Sequence, residues 1–103
     1  ADVRSLPYTC DLLERHPLGS QCFVPMGDSS YLVIVASDAG GQPGDAQVFC
    51  ASGQQCINIH RNTWHGVLAP VSGTGLFAVL DRIGYGQNLE EAPLDTPLSI
   101  KLP

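Results

Sequence analysis

The chain has 103 residues, 44% hydrophobic and 15% charged, which predicts one folded domain over residues 1–103 rather than disorder. Ten acidic against five scattered basic residues leave a formal charge of −5. This balance argues against nucleic-acid and membrane partners, because both surfaces attract clustered cations. No apolar run approaches the roughly 18 residues of a membrane-spanning helix, and no secretory signal opens the chain.

Four cysteines are present, and none of them forms a Cys-x-x-Cys pair. The spacing therefore suggests neither a zinc knuckle nor a thioredoxin-type redox centre. Since no secretory signal is visible, we expect a cytoplasmic, reducing location in which reduced thiols are favoured over a disulfide framework. The four are Cys10, Cys22, Cys50 and Cys56.

Short runs rich in Val, Ile, Phe and Tyr, bounded by Gly, Pro, Asp or Ser, follow one another along the chain. Their spacing, without a long helical period between them, predicts an all-β sandwich or barrel. The predicted strands are Tyr8–His16, Gln21–Pro25, Tyr31–Ala36, Gln47–Ala51, Cys56–His60, Gly66–Pro70 and Leu76–Asp81. Between and after them we expect a loop at Asp38–Asp45, a polar stretch at Tyr85–Pro97 with Glu90 and Glu91 at a solvated edge, and a short closing strand at Leu98–Leu102.

All three histidines fall in two polar segments, 14–21 and 58–65. Glu14 and His16 lie two residues apart, so on a strand both side chains project from one face. His60 and His65 flank a short turn. Each histidine alone is equally well explained as a structural residue. Together, a carboxylate, imidazoles and a carboxamide in a barrel mouth form either a divalent-metal site or a polar small-molecule pocket.

The spacing is similar to the ligand pattern of metal-binding cupin barrels, which carry His-x-His, a Glu about five residues later, and a single His further along. In those places this chain has Glu14, His16, Gln21 and His65. Two of the four ligand types are substituted, which lowers the imidazole count. We therefore expect a divalent metal at these four residues to be weakly held or absent.

Three ordered blocks closely resemble the signature blocks of the ureidoglycolate lyase family. They read ERHPLGSQCFVPM (Glu14–Met26), QCINIHRNTWHGVL (Gln55–Leu68) and FAVLDRIGYGQNLEE (Phe77–Glu91). The resemblance implies a cupin-like, jelly-roll antiparallel barrel. It also implies a homodimeric enzyme that splits ureidoglycolate into glyoxylate and urea in allantoin and purine breakdown.

This reaction needs a base, an acid and a cation for the substrate carboxylate. His16 and His65 can exchange protons near neutrality, and Glu14 completes the predicted catalytic set. A metal held by the same residues could instead acidify the substrate hydroxyl. Gln21 would orient either arrangement. The other predicted substrate-binding residues are Asn58, His60, Arg61 and Arg82, with either arginine as a two-point partner of the carboxylate.

Three residues near these segments have simpler explanations. Arg82 is as readily a surface partner of Asp81. Trp64 is favoured as a packing residue, with a pocket wall as the second interpretation. Asn62 is expected to serve the turn before Trp64, because Asn tolerates left-handed backbone geometry.

The family carries further residues before its first block, and they supply an N-terminal layer of strands. We therefore expect this chain to cover exposed strand edges by forming a homodimer, with the polar Asp38–Asp45 loop outside the interface. The alternative functions are a cupin-type binding module without lyase activity, and action on a different small carboxylate. An unrelated β protein with structural histidines is disfavoured by the three ordered blocks.

Overall fold

The structure is a computed structural model that describes residues 1–101, which form nine strands and no helix. The all-β prediction is therefore confirmed. Residues 1–101 contain no helix that is long and apolar enough to cross a membrane. The strands are β1 Tyr8–Arg15, β2 Gln21–Pro25, β3 Tyr31–Ala39, β4 Gln42–Ala51, β5 Ile57–Ile59, β6 Trp64–His65, β7 Ala69–Pro70, β8 Phe77–Leu80 and β9 Glu90–Ile100.

The strands form two sheets, and all strand pairs within each sheet are antiparallel. The larger sheet has the order β4-β3-β6-β1-β9, with β7 also paired to β3, and it curls into a half-barrel. The smaller sheet has the order β5-β2-β8. The rings of Tyr31 on β3 and Phe77 on β8 meet edge to face, with centroids 4.9 Å apart. This architecture confirms the cupin-like barrel prediction.

The hydrophobic core covers one face of the larger sheet. On β3 every second residue, namely Leu32, Ile34 and Ala36, is buried in a cluster with Leu13 and Trp64. The residues between them project from the opposite face, because strand side chains alternate. The neighbours Trp64 and His65 on β6 therefore point to opposite faces, with Trp64 in the core. Its 2% exposure confirms the packing prediction for Trp64.

The predicted loop at Asp38–Asp45 is wrong, because β3 and β4 continue through it as one hairpin. Only Gly40 and Gly41 form the turn, and their φ angles of 64° and 88° are the left-handed values that a tight two-residue hairpin turn requires. The sequence favoured a loop because this segment holds three Gly and one Pro. The proline, Pro43, is tolerated because β4 lies at the edge of its sheet.

Two further strand predictions need correction. The stretch predicted as polar and irregular, Tyr85–Pro97, contains most of the edge strand β9. β9 includes Leu98–Ile100 from the predicted closing strand, whereas Leu102 lies outside the described residues. The predicted strand Gly66–Pro70 shrinks to Ala69–Pro70, and the preceding β6 was not predicted. Among the other predicted strands, Gln21–Pro25 has its predicted ends, and the rest are shortened or extended by a few residues.

All four cysteines are free thiols. Cys10 is buried beside Leu13, and its pKa is raised mainly by that burial. Cys22 is half-buried, whereas Cys50 and Cys56 are exposed.

Candidate active site at the junction of β1 and β6

His65 is the most buried polar residue of the site, with 1% exposure. Its Nδ1–H donates to the carbonyl oxygen of Gly66 at 3.0 Å, which leaves Nε2 with the lone pair. That Nε2 is buried and has no hydrogen-bond partner in the described chain. Burial lowers the pKa of His65 and outweighs the opposing effects of the Gly66 hydrogen bond and the Glu14 carboxylate. The ring is therefore a neutral base near pH 7.

His16 follows the end of β1, and its ring centroid lies 5.1 Å from that of His65. Its Nδ1–H donates to the carbonyl oxygen of Asn88 at 2.7 Å. The other ring nitrogen, Nε2, lies 4.0 Å from Glu14 Oε1 and 3.2 Å from the side-chain amide of Gln21. The Gln21 atom in this contact is Oε1, which can only accept, so the hydrogen bond forms when Nε2 carries a proton.

Glu14 reaches the cluster through sheet register. It is paired directly with His65 across β1 and β6, so both side chains project from one face. One ligand atom from each of Glu14, His16 and His65 lies within 4.8 Å of the other two. The structure thus brings together the predicted residues Glu14, His16, Gln21 and His65.

The donor set fits a divalent cation. Both imidazoles use Nδ1–H on a backbone carbonyl, which directs Nε2 toward the cluster; this atom has no partner in His65 and faces Gln21 Oε1 in His16. The orphaned Nε2 of His65 lacks the partner that a buried polar atom normally has. Two imidazole nitrogens and one carboxylate are a common first-row transition-metal set.

An apolar cavity adjoins the cluster. The space in it that a water-sized molecule can occupy is about 20 Å³, and its walls include Phe23, Tyr31, Val33, Ile57 and His65. Apolar walls lower the local dielectric constant, which strengthens electrostatic interactions at the adjacent imidazole.

Four predicted substrate-binding residues are exposed, unlike the half-buried or buried residues of this cluster. Within residues 1–101, none of them hydrogen-bonds to Glu14, His16, Gln21 or His65. Asn58 pairs with Cys22, whereas Gln21 pairs with Ile59, so Asn58 projects from the opposite face of the smaller sheet. The arginine Arg82 donates to the carbonyl oxygen of Tyr85 at 3.0 Å and forms no ion pair with Asp81 in the described chain. The four residues are Asn58, His60, Arg61 and Arg82.

The turn between His60 and Trp64 contains Asn62 with φ of 65°, which confirms the turn role predicted for this residue. The backbone N–H of Asn62 also donates to the carbonyl oxygen of His16 at 3.0 Å. The turn therefore contacts the site through the main chain rather than through the side chain of Asn62.

Two residues that act on the cluster were not predicted from the sequence. Asn88 holds His16 through its carbonyl, and its Oδ1 accepts the Leu18 N–H at 2.8 Å. Asp81 follows β8, where Leu80 pairs with Cys22, and its charge raises the pKa of His65 slightly against the effect of burial. Both lie in the third signature block, so the resemblance to the family was the feature of the sequence that could have indicated them.

An antiparallel barrel with two imidazoles and a carboxylate on one inner face is the architecture of a cupin-type protein. The family profile described as ureidoglycolate lyase matches residues 1–101. The chain belongs to the ureidoglycolate lyase family.

Three relatives, each named ureidoglycolate lyase, illustrate the similarity. The protein of Rhodobacter capsulatus is 52% identical over 98% of this chain and 63% of its own length. One from Rhizobium etli is 50% identical over 97% of this chain and 60% of its own length. That of Agrobacterium fabrum is 48% identical over the same shares, 97% and 60%. This chain therefore spans about 60% of the length of the curated relatives it matches.

Proposed function

We propose that this chain carries ureidoglycolate lyase activity and cleaves ureidoglycolate into glyoxylate and urea. The observation that supports this proposal is the buried Nε2 of His65, which has no partner in the described chain. A neutral imidazole with a free lone pair, beside His16 and Glu14, is the arrangement that proton transfer to and from a small substrate requires.

The reaction moves one proton from oxygen to nitrogen. The central carbon of ureidoglycolate carries a hydroxyl, a carboxylate and a ureido nitrogen. The hydroxyl proton goes to a base, the oxygen forms the carbonyl of glyoxylate, and the carbon–nitrogen bond breaks with its electron pair on nitrogen. That nitrogen then gains a proton and leaves as urea. No net proton is consumed.

We assign the base to Nε2 of His65, because burial keeps that ring neutral. His16, with its Nε2 4.0 Å from Glu14 Oε1, is placed to return a proton to the leaving nitrogen. Gln21 and the Asn88 carbonyl hold the His16 ring in orientation. In an alternative arrangement, a divalent cation held by Glu14, His16 and His65 would use the His65 lone pair itself, and would supply positive charge that neutralises the carboxylate and acidifies the hydroxyl.

The test is release of glyoxylate and urea from ureidoglycolate, measured with the untreated protein, after chelation, and with added Mn²⁺ or Zn²⁺. Equal amounts of both products above the uncatalysed rate support the proposal. Binding of ureidoglycolate by calorimetry without product under any of these conditions would contradict it, and would favour the binding module instead. Turnover of another small carboxylate alone would assign a different substrate.

We also propose that the protein is a homodimer that works in the cytoplasm, in allantoin breakdown. β4 is an edge strand with exposed Val48 and Phe49, at 42% and 54% exposure, and such an edge is commonly covered by a second chain. Sedimentation at micromolar concentration tests the dimer, and Phe49→Glu should shift it to monomer. A monomeric wild-type chain would contradict the proposed dimer.

The cytoplasmic location is supported by the four free thiols, which fit a reducing compartment.

A further inference from the structure

Arg15 lies between two site residues but faces away from them. It follows Glu14 as the last residue of β1 and precedes His16, so strand alternation sends its side chain to the face opposite that of Glu14. Nη1 donates to Asp38 Oδ1 at 2.9 Å, and Nε and Nη2 donate to Glu90 Oε2 at 2.9 and 2.7 Å. Arg15 thereby joins β1 to β3 on one side and to β9 on the other.

Trp64 belongs to the same network. The Arg15 guanidinium carbon lies 4.6 Å from the centre of the Trp64 ring, within cation–π distance. The indole Nε1–H donates to Asp38 Oδ1 at 3.0 Å, the same oxygen that Arg15 uses. This hydrogen bond is the main cause that lowers the pKa of Asp38. Because Trp64 precedes His65, the network holds the residue next to the proposed base.

The backbone ladder between β1 and β6 is short. Among the described residues, β1 and β6 share the single register pair Glu14 and His65. β6 has two residues, which pair with Val35 and Ala36 of β3. Four side chains, Arg15, Asp38, Trp64 and Glu90, therefore join the four strands β1, β3, β6 and β9 directly behind the site.

We propose that Arg15 is a positioning residue, which sets the separation and orientation of Glu14, His16 and His65 by tying their strands together from the opposite face. The part of this proposal that concerns turnover rests on the proposed lyase function. Arginine suits the task because one planar guanidinium stacks on Trp64 while it binds two carboxylates. Lysine retains the charge but loses the stacking plane and the fork of donors.

Because the two carboxylate partners of Arg15 are exposed, a positioning role of Arg15 can be distinguished from a stabilising one. The Asp38 and Glu90 side chains are 39% and 50% exposed, and exposed ion pairs add little to folding stability. The loss of Arg15 should therefore affect the geometry of the site more than the stability of the fold. A displacement of about 1 Å in reacting groups can lower turnover on the order of 100-fold.

The experiment compares Arg15→Lys, Asp38→Ala and the control Asp95→Asn, which removes a carboxylate of the same strand as Glu90. Imidazole ¹³C–¹H resonances are recorded on chelator-treated protein, with the exposed His60 as internal reference. For Arg15→Lys we expect shifted His16 and His65 resonances and an unmoved His60. We also expect kcat to fall about 10- to 100-fold while KM changes much less. Asp38→Ala should show the same changes in resonances and kcat as Arg15→Lys. Asp95→Asn should match the wild type in both.

A purely structural role would produce a different result. In that case Arg15→Lys would lower the thermal midpoint, and the histidine resonances and kcat of the folded protein would stay at wild-type values. That outcome overturns the proposal. If the wild type releases no glyoxylate, the proposed function fails by itself, and the histidine resonances still decide whether Arg15 positions the site.

Discussion

Glu14 and His65 are directly opposed on β1 and β6, so the carboxylate and the imidazole leave the same face of the larger sheet. Side chains alternate along a strand, and a slip of one residue would exchange His65 for Trp64 at this position. The burial of Trp64 in the core opposes that slip, because the slip would move a large aromatic ring out of the core. The register that packs the core therefore also assembles the site.

His65→Gln is expected to lower kcat for glyoxylate release by at least about 100-fold, because a positioned general base contributes roughly 10²–10⁴. Gln keeps a polar side chain of similar size but cannot take the proton. His60→Ala, which removes the same ring from an exposed turn, should lower kcat by less than tenfold. Similar losses in both variants would contradict the assignment of the base to His65.

Stability should fall with acid because of His65. Burial lowers the pKa of this ring below its ordinary value of about 6.5. Below that pH the unfolded chain binds a proton at position 65 that the folded chain does not, so the free energy of unfolding decreases as pH falls toward the folded pKa. The slope from this group cannot exceed about 1.4 kcal/mol per pH unit.

The measurement is urea unfolding of chelator-treated wild type and His65→Gln between about pH 4.5 and 7.5. Titrating groups that do not interact with His65 are common to both proteins and cancel in the difference. The wild type should lose stability relative to the variant as pH falls below about 6.5. A pH-independent difference would show that His65 titrates alike in the folded and unfolded chains.

A divalent cation should stabilise the fold through Glu14. A ligand at ten times its dissociation constant raises the free energy of unfolding by about 1.4 kcal/mol. Addition of Zn²⁺ or Mn²⁺ should therefore raise the thermal midpoint of the wild type, followed by circular dichroism. Glu14→Gln should remove most of that increase, and Asp95→Asn should retain it. An equal increase in Glu14→Gln would place the cation elsewhere.

Asn62→Ala should destabilise the fold by about 1 kcal/mol. Asn62 has φ of 65°, and a left-handed conformation costs roughly 1–2 kcal/mol for a residue with an ordinary side chain. Asn62→Gly is the matched comparison, since glycine adopts this conformation without strain. Chemical unfolding should rank Gly close to Asn and Ala below both. A loss in Gly as large as that in Ala would mean that the Asn62 side chain, rather than its backbone, stabilises the turn.

The strands that carry strong local signals were predictable. β2 was predicted with its observed ends, Gln21 and Pro25, and the Val- and Ile-rich run of β3 begins at the predicted Tyr31. β9 was missed because Pro93 and Pro97 disfavour a strand by composition. They are accommodated because β9 lies at a sheet edge, and edge position is a property of the whole topology. The first half of β4 was missed for the same reason.

The site was predictable where spacing or signature blocks fixed the residues. Glu14 and His16 share a face by alternation, and the block around His65 placed it with them. The face from which the Asn58 side chain projects was not predictable, because it depends on the register between β5 and β2. Asn88 holds His16 through a backbone carbonyl, which every residue possesses. No pattern of side chains can indicate such a contact.

Trp64 is the only tryptophan of the chain, and it is stacked under Arg15 beside His65. The strongest intrinsic fluorophore of the protein is therefore the residue immediately before the proposed base. Its emission should respond to a ligand in the barrel and to movement of β6, so binding can be followed on the unlabelled wild-type chain. Stopped-flow emission could then separate substrate entry from product formation, a distinction that steady-state turnover does not provide.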